Sequence, residues 1–271
     1  MDIRLIPQAE VDRQLYNSCV HFATNGNIYG YEWYLNNTAR DWDVLVEGDE
    51  YYSVLPLPYG KNWMGRTKLL QPRLLPEMAL YSTRALSPKR VQAFWDAVPE
   101  HYKGGKLTME PWSIPKKPGR FTFEQATGTS LDLSPPYEEV IDDFPSSYFS
   151  ELAKADLADL MPTGNLKPER LADLYKQIHG NDKDAEWKFH AIQRIMYQAL
   201  HRGWGAPFGI QDRNGEIMAA FFLLYSHARI FPLLQLVTPA GHETGARIRL
   251  WDDILRGHTG RPLRIKREEI F

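Results

Sequence analysis

The chain has 271 residues, of which 43% are hydrophobic and 13% aromatic, enough apolar material for one large or two smaller globular domains. Its formal net charge of −2 gives no overall attraction to nucleic acid or to an anionic membrane, although such a total does not exclude local patches. The single cysteine, Cys19, excludes an intrachain disulfide and a cluster of thiolate metal ligands.

The beginning of the chain and its hydropathy predict a cytoplasmic protein. The segment MDIRLIPQAE lacks the charged and apolar regions of a secretory leader. No run of about 18 apolar residues occurs, so no membrane span is expected. Cys19, in YNSCVHF, is predicted to be a small buried residue in a reducing compartment.

The first half of the chain is predicted to contain two helices, a strand meander, a third helix and further strands. The segments AEVDRQLYNSCVHF and YEWYLNN have helical character, and the next segment is a hairpin that turns at Gly48-Asp49. The segment TKLLQP continues the meander. Ser87 is expected to cap a helix with Pro88 at its first position, before the strand KLTMEP. A loop near Pro118 precedes the last strand of this half.

The second half repeats this order. The segment KPERLADLYKQIHG places Leu171, Leu174, Tyr175 and Ile178 on one helical face, and a second helix is predicted from Trp187 to Leu200. Three strands follow, with turns at Asn214-Gly215 and near His227. A last helix has Ile248, Trp251, Asp252 and Leu255 at helical spacing, and PLRIKRE forms the closing strand.

The repeated order predicts two similarly folded halves of mixed α/β structure, residues 1–134 and 135–271. The proline-rich segment LDLSPPYEEVIDDFPSS, around Pro135 and Pro136, is the predicted joint.

One turn in the second half has two interpretations. In LVTPAGHETGARIRLWDDIL an apolar strand gives way to a turn containing Gly241 and Gly245, and the turn opens a helix. The free N–H groups at a helix N-terminus can hold an anion, so the turn is a candidate phosphate cradle. The same glycines are equally typical of an ordinary reversal between a strand and a helix.

A helix pair, a meander and a Gly-Ala turn that opens a helix together resemble the GNAT superfamily of acyl-CoA-dependent N-acyltransferases. The duplication resembles the Fem family of bacterial peptidyltransferases, which add amino acids to cell-wall precursor peptides. The matching pieces include YGYEWYL, LLQP and the segment from FGIQDRNGEIM to HETGA. The resemblance implies two tandem GNAT-like halves, the second lacking the helix and strand that follow the final strand in the family.

The resemblance also implies a cofactor, acetyl-CoA or another acyl-CoA, whose pyrophosphate would lie on the glycine turn. Glu243 would place a negative charge beside it. The residues expected to contact this cofactor are Gly241, His242, Thr244, Gly245, Ala246 and Arg247.

The acceptor is expected to be the amine of a small molecule, a peptide or a cell-wall precursor. Tyr31 and Trp33 are candidates to stack on a sugar or peptide, with core packing as the alternative. Gln71 is a candidate to hydrogen-bond a substrate amide, or else to anchor its loop.

Other chemistry finds little support in the sequence. The eight His residues have no zinc-site spacing, and neither a nucleophile elbow nor a phosphate loop ending in Gly-Lys-Ser/Thr occurs, so no metal and no hydrolase are predicted. No catalytic residue is identified; Asp252 and Asp253 are read as carboxylates of a helix face, with general base as the alternative. Nucleic acid is not expected as a partner, and the oligomeric state is left open. The rival function is a non-catalytic binding or scaffold protein that retains the fold.

Overall fold

A computed structural model of the chain describes residues 1–61, 63–164, 166–180 and 185–271. These residues divide into two units, Met1–Thr127 and Gly128–Phe271. The division falls before the predicted joint at Pro135, because the short strand Ser130–Asp132 pairs within the second unit.

The first unit is built on a meander with a helix pair inserted after its first strand. Its main sheet runs in the order β1-β2-β3-β4, all antiparallel, with β5 also paired to β3. A separate parallel pair joins β6 and β7. The elements are β1 (Ile3–Pro7), α1 (Arg13–Phe22), α2 (Glu32–Thr38), β2 (Asp41–Glu47), β3 (Ser53–Lys61), β4 (Thr67–Leu69), β5 (Tyr81–Ser82), α3 (Pro88–Asp96), β6 (Gly105–Met109) and β7 (Phe121–Gln125).

Local signals fix the helix ends of this unit. The Asp12 carboxylate accepts hydrogen bonds from the N–H groups of Gln14 and Leu15, which caps α1. The Ser87 hydroxyl accepts from the Arg90 N–H, which confirms the predicted cap of α3. Cys19 is buried on α1, as predicted.

The second unit has a mixed sheet in the order β8-β13-β12-β11-β10-β9. Its pairs are antiparallel except for β12 and β13, which run parallel and meet only at Arg229 and Arg264. The elements are β8 (Ser130–Asp132), α4 (Tyr137–Ile141), α5 (Ser146–Asp156), β9 (Met161–Pro162), α6 (Pro168–His179), α7 (Ala185–His201), β10 (Gly205–Gln211), β11 (Ile217–Ser226), β12 (Arg229–Val237), α8 (Pro239–Glu243), α9 (Ala246–His258) and β13 (Arg264–Lys266).

Strand β11 is the centre of this unit. It pairs with β10 on one side and β12 on the other, and its residues Ile217 to Leu224 are all buried. The predicted turns on either side of β11 are confirmed. Gly215 has φ of +82° in one, and His227 and Ala228 both have positive φ in the other, the conformation of a tight hairpin turn.

Helix α9 covers β11 with the apolar face that its spacing predicted. Leu250, Trp251, Ile254 and Leu255 are buried, and the rings of Trp251 and Phe221 lie 5.1 Å apart. The helix follows Gly245, whose φ of +70° is a left-handed conformation that favours glycine. A Cβ at Gly245 would lie 2.5 Å from the Glu151 carbonyl oxygen on α5.

We expect Gly245→Ala to lower the free energy of unfolding by about 1–3 kcal/mol, because the new Cβ meets both an unfavourable φ and a backbone oxygen. Gly257→Ala is the matched control. Gly257 lies in the same helix with open space around its Cβ position, so the change should be neutral or stabilising by up to about 1 kcal/mol. Urea denaturation of both variants makes the comparison, and equal stabilities would contradict this account of the turn.

The stability of the second unit should also fall as the pH drops below the usual His pKa. His258 is buried; its Nδ1–H donates to the Ile254 carbonyl and its Nε2 lies 2.9 Å from the Tyr225 hydroxyl. Burial lowers the pKa of His258 below 6.5. The unfolded chain therefore takes up a proton at His258 more readily than the folded chain does. The stabilisation that neutral His258 contributes above about pH 6.5 is consequently lost at lower pH.

Denaturation midpoints at about pH 7.5 and about pH 5.5 test this sign. His258→Gln, which does not titrate, should have a smaller decrease than the unchanged protein over this interval. An identical decrease in both proteins would show that other groups cause the loss.

Candidate functional site

A cavity of about 290 Å³ lies in the second unit, where β11 begins and β12 ends, beside helix α6. We call it the α6 cavity. Its lining residues are Arg170, Asp173, Leu174, Gln177, Glu216, Ile217 and Thr238. Its volume is close to the lower limit for small-ligand pockets, which begin at about 300 Å³.

The helical repeat brings the polar residues of α6 to the cavity. Arg170, Asp173 and Gln177 lie at positions i, i+3 and i+7 and therefore share one face. Leu174 belongs to the predicted apolar face and is buried. The cavity thus has apolar contact area next to exposed polar groups.

The charged groups around the cavity have both signs. Arg170, Asp173 and Glu216 are exposed there. A guanidinium binds a carboxylate or phosphate through two parallel hydrogen bonds, and carboxylates attract an ammonium group. The arrangement therefore suits a ligand with an amine at one end and an anionic group at the other.

Thr238 connects the cavity to the glycine turn. Its hydroxyl donates to the Met218 carbonyl at 3.2 Å and accepts from the Gly241 N–H at 3.0 Å, which caps α8. The Thr238 N–H also donates to the Met218 carbonyl. The end of β12 is thereby held against the beginning of β11.

The glycines predicted to cradle a phosphate are in contact with protein instead. A Cβ at Gly241 would lie 2.0 Å from the Met218 carbonyl oxygen, so this glycine allows α8 to approach β11. At Gly245 the corresponding position faces the carbonyl oxygen of Glu151 at 2.5 Å and its carboxylate at 3.3 Å. Both neighbours are hydrogen-bond acceptors, and the second carries negative charge.

Two of the other predicted cofactor contacts are engaged within the protein, and one is exposed. The Thr244 hydroxyl donates to the Ala240 carbonyl, and Ala246 is fully buried. His242 is exposed on α8. Binding of an acyl-CoA by these residues stays a prediction.

Arg247 lies in a buried network that closes the space between β12 and the end of the chain. Its guanidinium donates to the carbonyls of Ile270 and Glu269 and to Gln235 Oε1. Gln235 Nε2 donates in turn to the Glu269 carboxylate, and the Trp251 N–H donates to Gln235 Oε1. Burial lowers the pKa of Arg247 and raises that of Glu269. Arg247, the predicted counter-charge for a phosphate, is thus hydrogen-bonded to groups of the protein itself.

The predicted acceptor residues of the first unit have structural contacts. Tyr31 and Trp33 are 4% and 5% exposed, so their rings pack in the core, which was the alternative interpretation. The Gln71 side chain donates to the Leu75 carbonyl and accepts from the Thr108 N–H, which anchors its loop.

Asp252 is a structural carboxylate. It is 3% exposed and accepts hydrogen bonds from the hydroxyls of Tyr137 and Tyr148 and from Arg256. These bonds engage both oxygens of a carboxylate that is almost fully buried, which fits a structural role. Asp253 forms an ion pair with Arg249, and burial raises its pKa.

The residues of the α6 cavity were not predicted from the sequence. A signal was present, since Arg170, Asp173 and Gln177 recur at helical spacing, but solvated helix faces have the same pattern. These side chains line a cavity because α6 lies beside Ile217 and Thr238, and the sequence does not show that position. Within the described residues, no group of three His, Cys, Asp or Glu is placed to hold a metal ion.

Comparison with known proteins gives similarity in structure only. No family model matches the chain, and no curated protein matches its sequence. The fold is similar to that of FemX, with a TM-score of 0.62, 10% identity, and coverage of 98% of this chain and 88% of FemX. No helix in the described part of the chain is long and apolar enough to cross a membrane.

Two further solved structures are similar. A conserved protein of unknown function from Bacteroides thetaiotaomicron gives a TM-score of 0.53 at 12% identity, covering 98% of this chain and 90% of that one. The C-terminal domain of a putative lysylphosphatidylglycerol synthetase from Agrobacterium fabrum gives 0.51 at 10% identity, covering 96% and 79%. At such identities the similarity establishes the fold alone. The chain has the GNAT-like mixed α/β fold that the resemblance predicted.

Proposed function

We propose that the protein transfers an aminoacyl or acyl group from an activated ester to an amine, and that the α6 cavity binds the acceptor. The observation that carries the proposal is a cavity with charges of both signs at the ends of β11 and β12, in a chain with the fold of FemX. One of the similar structures comes from a protein named for joining lysine to phosphatidylglycerol. Aminoacyl transfer therefore has a precedent among the similar folds.

The reaction requires an uncharged amine next to the donor ester. The amine nitrogen attacks the carbonyl carbon, the bond from that carbon to the leaving oxygen or sulfur breaks, and an amide forms. The nitrogen loses a proton and the leaving group gains one. Asp173 and Glu216 are the candidates to attract the ammonium form and accept its proton, and Arg170 is the candidate to hold an anionic part of the substrate.

The contacts of the glycine turn favour an aminoacyl ester over an acyl-CoA as donor. Gly245 faces Glu151, and Arg247 is bound to the end of the chain, so neither supports a pyrophosphate. An ester that places no pyrophosphate on the N-terminus of α9 avoids this conflict. Acetyl-CoA or another acyl-CoA is the alternative donor, and the transfer assay includes it.

The same contacts support a second candidate, a binding protein without turnover. Arg247, the predicted counter-charge of the cofactor, and Asp252, whose alternative role was general base, are both hydrogen-bonded to groups of the protein itself. Such a protein would bind an amino-acid-like ligand in the α6 cavity and release it unchanged.

We also propose that the two units are a tandem repeat of the Fem-like kind. In each unit a helix pair follows the first strand of an antiparallel path, β1-β2-β3-β4 in one and β9-β10-β11-β12 in the other. The elements β5, α3 and β6 come next in the first unit, and α8, α9 and β13 come next in the second. An experimental structure tests this proposal, since the paired strands and helices should superpose in the same order.

We expect substitutions in the α6 cavity to impair transfer while leaving the fold intact. Arg170→Ala should lower kcat/KM about tenfold to a hundredfold, the effect of losing one charge-assisted contact. Either Asp173 or Glu216 accepts the proton. Replacing that residue by its amide, Asp173→Asn or Glu216→Gln, should lower kcat about a hundredfold or more. The assay incubates the whole protein with an activated aminoacyl ester free of nucleic acid, with aminoacyl-tRNA, which the sequence did not predict as a partner, or with acyl-CoA. Each donor is combined with a panel of amines, and the amide is detected by mass spectrometry.

Glu169→Gln is the matched control, because Glu169 is exposed on the same helix but does not line the cavity. Its activity should equal that of the unchanged protein. Equal activity in the cavity variants would place the acceptor elsewhere. Specific binding of amines without any product would support the binding protein instead.

We expect no saturable heat when acetyl-CoA is titrated into the protein, and no rise in its melting temperature, because the Glu151 carboxylate lies beside Gly245 and Arg247 is bound to the end of the chain. Calorimetric titration makes the measurement. Saturable binding that Gly245→Val abolishes in a folded variant would restore the phosphate cradle and make acyl-CoA the donor.

A further inference from the structure

The tip of the β3–β4 hairpin exposes large apolar side chains. Trp63 is 92% exposed, and Met64 and Leu70 are each 50% exposed. Water-exposed aromatic and aliphatic groups of this size are costly unless a partner covers them. We call Lys61, Trp63, Met64, Arg66, Lys68 and Leu70 the hairpin tip.

The hairpin geometry holds part of this surface in place. Gly60 pairs with Lys68, and a Cβ at Gly60 would lie 2.5 Å from the Leu70 side chain. The Leu70 side chain therefore packs over Gly60 of β3. Lys68 lies in β4 and Leu70 directly follows that strand, and both side chains are exposed.

The charged residues within the hairpin segment are all positive. Residues 60–73 contain Lys61, Arg66, Lys68 and Arg73 and no acidic residue, although the whole chain has a net charge of −2. A fifth cation comes from a distant part of the sequence. The Lys103 N–H donates to the Thr67 carbonyl at 2.9 Å, which places exposed Lys103 beside the hairpin.

Apolar side chains surrounded by cations match one surface well, that of an anionic lipid bilayer. A Trp ring is favoured at the level of the lipid headgroups, and Met and Leu side chains can enter the acyl boundary. Each Lys or Arg near an anionic leaflet contributes about tenfold or somewhat less to the binding constant. Single-stranded nucleic acid instead requires a series of aromatic faces for stacking, whereas the neighbours of Trp63 at the tip are aliphatic.

We propose that the hairpin tip docks the protein on an anionic membrane surface. The inference rests on the first unit alone and is independent of the proposed transferase function. Binding is peripheral, with Trp63 and Met64 inserted at the interface and the surrounding cations facing lipid phosphates.

The experiment measures co-sedimentation of the whole protein with vesicles of phosphatidylcholine, or of equal parts phosphatidylcholine and phosphatidylglycerol. We expect binding to the anionic vesicles only, weakened by salt. Lys61→Gln/Lys68→Gln should lower the partition coefficient about thirtyfold. Trp63→Ala should lower it about tenfold or more.

Two matched variants control for exposure and charge. Phe22→Ala removes another aromatic side chain of the first unit, 71% exposed, and Lys116→Gln/Lys117→Gln removes two exposed lysines. Both should bind vesicles as the unchanged protein does. Brominated lipid should quench the fluorescence of the unchanged protein more than that of Trp63→Phe.

Several results would overturn the proposal. They are absence of binding to anionic vesicles, equal weakening by the control and hairpin variants, and quenching that does not depend on Trp63. Tight binding of tRNA that is lost in Lys61→Gln/Lys68→Gln, without vesicle binding, would assign the hairpin tip to nucleic acid instead.

Discussion

The second unit depends on how closely α8 approaches β11. The Met218 carbonyl oxygen accepts hydrogen bonds from both the N–H and the hydroxyl of Thr238, and it lies where a side chain at residue 241 would begin. Only glycine permits this approach. Because Thr238 ends β12 and begins the turn, this contact fixes the direction in which α8 and α9 leave the sheet. The same contact forms one wall of the α6 cavity.

This geometry explains why the glycine turn and the cavity have different chemistry. The Cβ position of Gly245, the residue before α9, faces the Glu151 carbonyl oxygen on α5, and Arg247 bridges Gln235 to the end of the chain. The donors of Arg247 thereby find acceptors inside the protein, as buried polar groups must. On the side of β11 facing α6, by contrast, Arg170 and Asp173 are exposed. These exposed charges beside α6 are the groups on which the proposed acceptor site rests.

The two units also present different surfaces. The cavity of the second unit offers a few charges of both signs around a small apolar floor, which suits a small polar ligand. The hairpin tip of the first unit offers a convex apolar surface among cations, which suits an extended anionic interface. The nearly neutral total charge of the chain conceals this second feature, because acidic residues elsewhere cancel the cations in the sum.

The sequence alone determined the elements whose signals are local. Helical spacing placed α6 and α9, Ser87 capped α3, and the turn at Gly215 separated β10 from β11, because periodicity, capping and positive φ act within a few residues. Tertiary structure alone decided what the polar residues do. Gln71 anchors a loop, Tyr31 packs in a core, and Gly241 and Gly245 face Met218 and Glu151. A glycine turn has the same sequence whether it faces a phosphate or a carbonyl oxygen, and only the packing of distant segments determines which group it meets.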